Sequence, residues 1–339
     1  MSQSHESHNL ALVLGAGGGA GQAWVIGVVA GLAEAGFDLT ESADLVIGTS
    51  SGATAAAWVR SGIPAADLFA TILSEPVPPA GQRPAGPGAA EQHAAGRDSA
   101  KQHAARQDSA GPDRERPSAR PQTSVFERMR AINAAATSAA DLQRAMGAFG
   151  LEGDGVLDPA LGVQRRAQVA ARLPRPEWPD RPMVLVALDA HTGELVTFDR
   201  DSGVELADAV TAATALPGLV PTPNINGRRY INGGVRSADN ADLASGYANV
   251  VVLAPFSVRN TPLADGQFEG LRRFPGTELD DQVERLREEG SHVEVIAPDA
   301  ESRAAMGVNQ MDPATRIPSA RAGFAQGRRE AAHLTLRRS

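Results

Sequence analysis

The chain has 339 residues, of which 42% are hydrophobic and 21% charged, close to the usual globular mix, so a sizeable core can form and wholesale disorder is excluded. It has no cysteine, which removes disulfide scaffolds, thiolate metal sites and cysteine nucleophiles together. A formal net charge of −8 gives no overall electrostatic pull on nucleic acid, and the polar start Met1–Asn9 lacks the basic region of a signal sequence, so the expectation is a cytoplasmic protein with no nucleic-acid partner.

In chain order, β-branched and apolar runs predict strands at Leu10–Leu14, Asp44–Ile47, Met183–Asp189, Glu194–Phe198, Arg229–Ile231, Val250–Ala254 and His292–Ile296. Helical stretches are expected at Ala20–Ala35, Ser51–Ser61, Ala65–Ser74, Ser124–Ala135, Ala139–Ala148, Pro159–Leu173, Ala207–Ala213, Asp280–Glu289 and Pro313–Leu336. Strands separated by helices imply an α/β fold with a mostly parallel sheet covered on both faces. Ala20–Ala35 is apolar nearly all round, so that helix should be buried.

Between Pro76 and Gln122 the pattern breaks. Eight of the 23 prolines fall there, Val77 is the only large apolar residue, and no aromatic occurs. Within it, Glu91–Ala100 and Lys101–Ala110 match at seven of ten positions, a single duplication rather than the three or more units that a solenoid needs. Such a segment buries too little to offset its ordering entropy, and the expectation is one α/β domain over 1–339 interrupted by a disordered insertion at 76–122.

Leu10–Leu14 runs into Gly15-Ala16-Gly17-Gly18-Gly19-Ala20-Gly21, where a helix begins. A glycine-rich strand-to-helix turn lets backbone approach a ligand and aims N–H groups at negative charge. Gly15-x-Gly17-x-x-Ala20 also satisfies the dinucleotide fingerprint, but that reading needs an acid at the end of the second strand, and Glu34 and Asp38 precede it. A purely structural turn is the third alternative.

The second motif is Gly48-Thr49-Ser50-Ser51-Gly52, again between a strand and a helix. The spacing G-x-S-x-G fits a nucleophilic serine forced outward on a sharp turn, with the flanking glycines Gly48 and Gly52 removing side chains that would clash. The helix start and the Ser51 N–H favour a developing oxyanion, and the glycine loop can supply the remaining donors. The plainer alternative makes Ser50 or Ser51 a helix N-cap. No histidine has the setting of a general base; His191, in a turn, comes nearest. With no histidine pair at ligand spacing, no metal and no cofactor are expected.

Taken with Ala213-Thr214-Ala215-Leu216-Pro217-Gly218, Pro221, Arg228–Ser237 and Asn240-Ala241-Asp242-Leu243, these motifs resemble the patatin-like phospholipases, serine lipid acyl hydrolases that use a Ser–Asp dyad without histidine. The resemblance implies a three-layer patatin-like fold, Ser50 as nucleophile, Gly17, Gly18 and Gly19 with Ser51 as oxyanion donors, and position 232 as general base, followed by Gly233 and Gly234. It implies a fatty-acyl ester or lipid substrate and transient contact with a membrane surface. Nothing in the sequence specifies an oligomeric state.

Two positions depart from the family pattern. The dyad aspartate is Asn232, whose amide oxygen is too weakly basic to take the serine proton and whose NH₂ only donates. Ala20 stands where the family often carries a loop cation, which leaves neutral esters open and puts charged phospholipids in doubt. Asn232 is open to three readings: a replacement that traps an inactive form, a natural loss leaving a lipid-binding protein, or an Asn-Gly pair that deamidates to aspartate. Asp239 and Asp242 stand nearby with surface or hydrogen-bonding roles expected. The functional expectation is an acyl hydrolase working through an acyl-enzyme on Ser50, weakened at position 232, with a non-catalytic lipid binder and an acyltransferase as the alternatives.

Overall fold

The computed structural model describes residues 9–76, 122–257 and 274–337. The expected 76–122 insertion lies outside the described residues except for its first and last positions, and Gln122 already opens a helix.

In chain order the elements are β1 (Leu10–Leu14), α1 (Gly18–Glu34), α2 (Leu39–Ser42), β2 (Leu45–Thr49), α3 (Ser51–Val59), α4 (Ala65–Leu73), α5 (Gln122–Ala135), α6 (Ala139–Asp154) and α7 (Pro159–Arg172). There follow β3 (Met183–Asp189), β4 (Leu195–Phe198), α8 (Leu206–Ala213), β5 (Asn224–Ile225), β6 (Arg228–Asn232), β7 (Asn249–Leu253), α9 (Leu279–Glu288), β8 (His292–Ile296), α10 (Ala300–Met306) and α11 (Arg316–Glu330). The sheet runs β5-β6-β3-β2-β1-β7-β8, with β4 also paired to β3. The five strands β3-β2-β1-β7-β8 are mutually parallel, while β4 and β6 each pair antiparallel with β3 and β5 pairs antiparallel with β6.

Strands buried on both faces split their side chains between two layers, as a period of two requires. Leu10, Leu12 and Leu14 join the core formed with α1, α3, α4, α8 and α11, whereas Ala11 and Val13 join the opposite core under α9. A third cluster packs α5 and α6 onto Leu188 and Ile231 of β3 and β6. This is the α/β architecture with a mostly parallel, helix-covered sheet that the alternating pattern implies.

The all-round apolar helix α1 is buried along its length, from Ala20 to Leu32. Its outer side is covered by α11, and glycines on both helices allow the contact. A Cβ on Gly27 would stand 2.1 Å from the Ala320 carbonyl and one on Gly31 2.2 Å from that of Phe324; reciprocally, one on Gly323 would stand 2.4 Å from the Trp24 carbonyl. Since residues 24, 27 and 31 meet 323, 320 to 324 and 324 to 328, the two helices run parallel, with their N-termini at the same end. Trp24 Nε1 donates to the buried Gln326 Oε1 at 3.1 Å and fixes the register.

The structure departs from the expectation in a few places. α6 extends to Asp154 instead of ending at Ala148, because Gly147, Gly150 and Gly153 are contact points where a Cβ would meet Ala190, Ile231 and Gly218, and are not helix breakers. The Pro313–Leu336 helix is a 3₁₀ turn, Pro313–Thr315, followed by the shorter α11. The short α2 and α10 and the two-residue β5 carry too little periodicity to be read. No helix among the described residues is long and apolar enough to cross a membrane.

The glycine contact between α1 and α11 generates a stability prediction. Gly323→Ala pushes a methyl group into the Trp24 backbone and should lower unfolding stability by about 1–3 kcal/mol, read as a shifted denaturant midpoint at unchanged slope.

Candidate active site

The site forms because two strands end head to head on one edge of β3. Leu185 and Val186 pair with both β2 and β4, so those two strands lie on opposite edges. Ala187 and Leu188 pair with both β4 and β6, so β6 lies on the edge that β2 occupies. There β2 runs up to Thr49 opposite Val186, and the antiparallel β6 comes the other way to end at Asn232 opposite Ala187. Consecutive residues of β3 thus hold the C-terminal ends of two strands, and Ser50 and Asn232 meet although they are 182 residues apart.

Ser50 adopts φ 56° and ψ −123°, a region that costs a non-glycine residue on the order of 1–3 kcal/mol and persists only when the surroundings over-determine it. The surroundings do so. A Cβ at Gly48 would lie 2.6 Å from the Ala53 Cα, and one at Gly52 would lie 2.0 Å from the Leu14 carbonyl oxygen, so β2, the turn and the first turn of α3 pack backbone to backbone on the end of β1. Ser50 occupies the N-cap position, yet its hydroxyl caps nothing; Asn232 Nδ2 donates to its Oγ at 2.9 Å.

The Asn232 side chain is 2% exposed and its orientation is determined. The Gly234 N–H donates to Oδ1 at 2.7 Å, and since an N–H can only donate, the amide oxygen faces Gly234 and the NH₂ faces Ser50. The two glycines that follow are required: a Cβ on Gly233 would stand 2.5 Å from the Val186 carbonyl, and one on Gly234 2.9 Å from Asn232 Oδ1 itself.

The glycine loop abuts this corner, with Gly15 O beside Gly52 and Ala16 beside Gly234. Its first two N–H groups are taken, Gly15 by Leu253 O at 2.9 Å and Ala16 by Ala238 O at 2.8 Å. Those of Gly17, Gly18 and Gly19 have no hydrogen-bond acceptor among the described residues, the usual condition of a helix start. Gly18 has φ +60°, which only glycine adopts without strain, while Gly17 is extended. Ser51 lies in the first turn of α3, and its hydroxyl is buried without a partner among the described residues.

Of the neighbouring carboxylates, Asp242 is gripped by Arg236, and Asp239 stands with Oδ1 2.1 Å from where a Gly15 Cβ would be. His191 is exposed in the turn after β3, its N–H held by Asp189. Asp38, one of the acids near the second strand, caps α2 by accepting from Thr40 N–H, and β2 itself ends in Thr49 with no acid there. Among the described residues, no three His, Asp or Glu side chains gather as a metal site.

Sequence reasoning missed the polar scaffold behind Ser50. Asn240 Nδ2 donates to Thr49 Oγ1 at 3.1 Å and to Ser237 O at 2.9 Å, while the buried Gln282 accepts from Ala241 N–H and donates to Ser237 Oγ. It also missed Arg316, which reaches Gly19 O at 3.0 Å. No local pattern marks Gln282 or Arg316, because their partners come from elsewhere in the chain, while Asn240 stands in the Asn240-Ala241-Asp242-Leu243 motif, which does not itself reveal this role.

A strand–turn–helix elbow facing a glycine-rich helix start, on a helix-covered mixed sheet, defines an α/β fold with a built corner. Residues 12–245, which span both motifs and Asn232, match the family model for patatin-like phospholipase, and the chain belongs to that family, whose general chemistry is lipid acyl-ester hydrolysis. Among solved structures, the chain is similar to the type III effector protein ExoU, at 14% identity with a TM-score of 0.31, over 94% of this chain and 53% of that one. The chain therefore spans about half the length of that protein. No curated protein matches it.

The strained elbow is testable without reference to activity. Both Ser50→Ala and Ser50→Gly remove the hydroxyl, but only glycine relaxes at φ 56°, so Ser50→Gly should be the more stable of the two by about 1 kcal/mol in denaturant unfolding. The reverse order would mean that the turn is unstrained.

Proposed function

We propose that this chain is a serine lipid acyl hydrolase in which Ser50 is the nucleophile and position 232 its partner, slowed because that partner is an amide. The observation that carries the reading is the 2.9 Å contact between Asn232 Nδ2 and Ser50 Oγ at a strained elbow beside Gly17–Gly19 N–H groups. In the proposed reaction the Ser50 oxygen attacks the ester carbonyl, and charge on the tetrahedral oxygen is met by the loop donors and the Ser51 N–H. Collapse releases the alcohol and leaves an acyl group on Ser50, which water then clears. A carboxylate at 232 would accept the serine proton and return it to the leaving alcohol. The amide holds Ser50 in place but donates to it, so the proton must leave through water.

Neutral esters fit the site better than charged ones, because the glycine loop itself has no cation and the nearby Arg316 is already matched by the Glu75 carboxylate. Contact with a membrane surface belongs to the same reading, since the substrate is a lipid. The orientation of the Asn232 amide also favours a second reading, a non-catalytic acyl-lipid binder, in which Ser50 is a hydrogen-bonding group only. Transfer of the acyl group to an acceptor other than water uses the same intermediate.

The test is Asn232→Asp, assayed on a medium-chain ester beside a parent verified by mass spectrometry to contain no deamidated residue. The variant should be faster by the worth of a positioned general base, ~10²–10⁴-fold, and Ser50→Ala in that background should remove the gain. A variant no faster than the verified parent would favour the binding protein.

A further inference from the structure

We propose that Arg316, outside the family-matched segment, is a positioning residue for the oxyanion donors: with Gln310 it clamps both polar ends of the Gly19–Ala20 peptide and so fixes the loop that precedes it. This rests on the ester-hydrolase reading of the same corner. The two contacts fall on a single peptide unit. Arg316 Nη1 donates to Gly19 O at 3.0 Å, and the Ala20 N–H, across the same amide plane, donates to Gln310 O at 3.0 Å. A planar peptide held at both ends cannot rotate, and the N–H groups of Gly17, Gly18 and Gly19 are attached directly upstream of it.

Arg316 is itself held from three sides. Its Nε and Nη2 form a two-point pair with Glu75 at 2.6 and 2.7 Å, and Nη1 also donates to Gln22 Oε1 at 2.9 Å. Its side chain is 16% exposed. The position is not one that helix electrostatics would choose, because a cation in the first turn of α11 opposes the helix dipole. What places it there is the parallel glycine packing of α11 on α1, which brings the first residue of α11 level with the second residue of α1. Residues Gly15–Gly21 contain no cation, and among the described residues this guanidinium, arriving from 297 residues away, is the positive group bonded to the loop. The same segment covers the loop with Met311, whose sulfur lies 3.1 Å from where a Gly18 Cβ would be.

A fork-shaped guanidinium can bond Glu75 and Gly19 at once, which an ammonium cannot do with the same geometry. Arg316→Ala frees the peptide and should degrade donor alignment, where a misplacement of about 1 Å costs ~10²-fold.

The experiment uses the full chain carrying Asn232→Asp, with Arg316→Ala, Arg316→Lys and, as a control on the same helix, Arg328→Ala. Two readouts are taken: the rate of Ser50 modification by a fluorophosphonate, and amide hydrogen exchange at Ala20. In Arg316→Ala, labelling should fall ten- to a hundredfold and Ala20 exchange should quicken at least tenfold, with added guanidinium ion restoring part of both. Arg316→Lys should lie between, and Arg328→Ala should match the parent. Unchanged Ala20 exchange or unchanged labelling would overturn the proposal, as would exchange that quickens equally throughout the molecule. If Ser50 is unlabelled even with arginine in place, while Ala20 still responds to Arg316→Ala, the clamp stands and the hydrolase reading fails.

Discussion

One edge of β3 organises this corner of the molecule. A β-strand ordinarily gives one edge to one neighbour; here Val186 and Ala187 are consecutive residues that pair with the oncoming ends of β2 and β6. Because each of those strands leaves the edge through a sharp turn, their departing residues, Ser50 and Asn232, meet in the gap. The glycines at the corner let these backbones approach one another. Gly48 and Gly52 admit α3 onto the end of β1, Gly233 passes the Val186 carbonyl, and Gly234 turns its N–H back to orient Asn232.

The corner has a definite polarity. The N–H groups of Gly17, Gly18 and Gly19 at the start of α1 have no acceptor among the described residues, and Asn232 turns its NH₂ to Ser50, so the group that bonds Ser50 is a donor. A carboxylate at 232 would differ from the amide by little volume, and would reverse the direction of one hydrogen bond, from Asn232 to Ser50 into Ser50 to the carboxylate. On the proposed reading, that single reversal separates a serine that gives up its proton from one that is merely held.

Much of this was legible in the sequence. Strands buried on both faces read as apolar runs, so β1 and β3 match their expected bounds and β2 is displaced by a residue or two, while the partly buried β8 matches through its β-branched residues. The Gly48–Gly52 elbow could be found because its constraint acts over a few residues, and the Asn232–Gly234 turn through the resemblance to the patatin-like phospholipases. Three things could not. The glycines of α6 read as an early stop when they are contacts with Ala190 after β3, with β6 and with the loop around Gly218. The head-to-head meeting on β3 is a fact of register between strands far apart in sequence. Arg316 and Gln282 look like ordinary polar helix residues until packing brings them to the glycine loop and to the Ser237–Ala241 turn.

The account turns on Ser50 and residue 232 forming one unit, and site-mapped covalent labelling tests that most directly. The chain and its Asn232→Asp form are treated with a fluorophosphonate, digested, and the modified residue and its rate of formation are read by mass spectrometry. The prediction is a phosphonyl group on Ser50 in both, forming at least a hundredfold faster with aspartate at 232. Modification at another serine, or equal rates on Ser50 in the two forms, would contradict it.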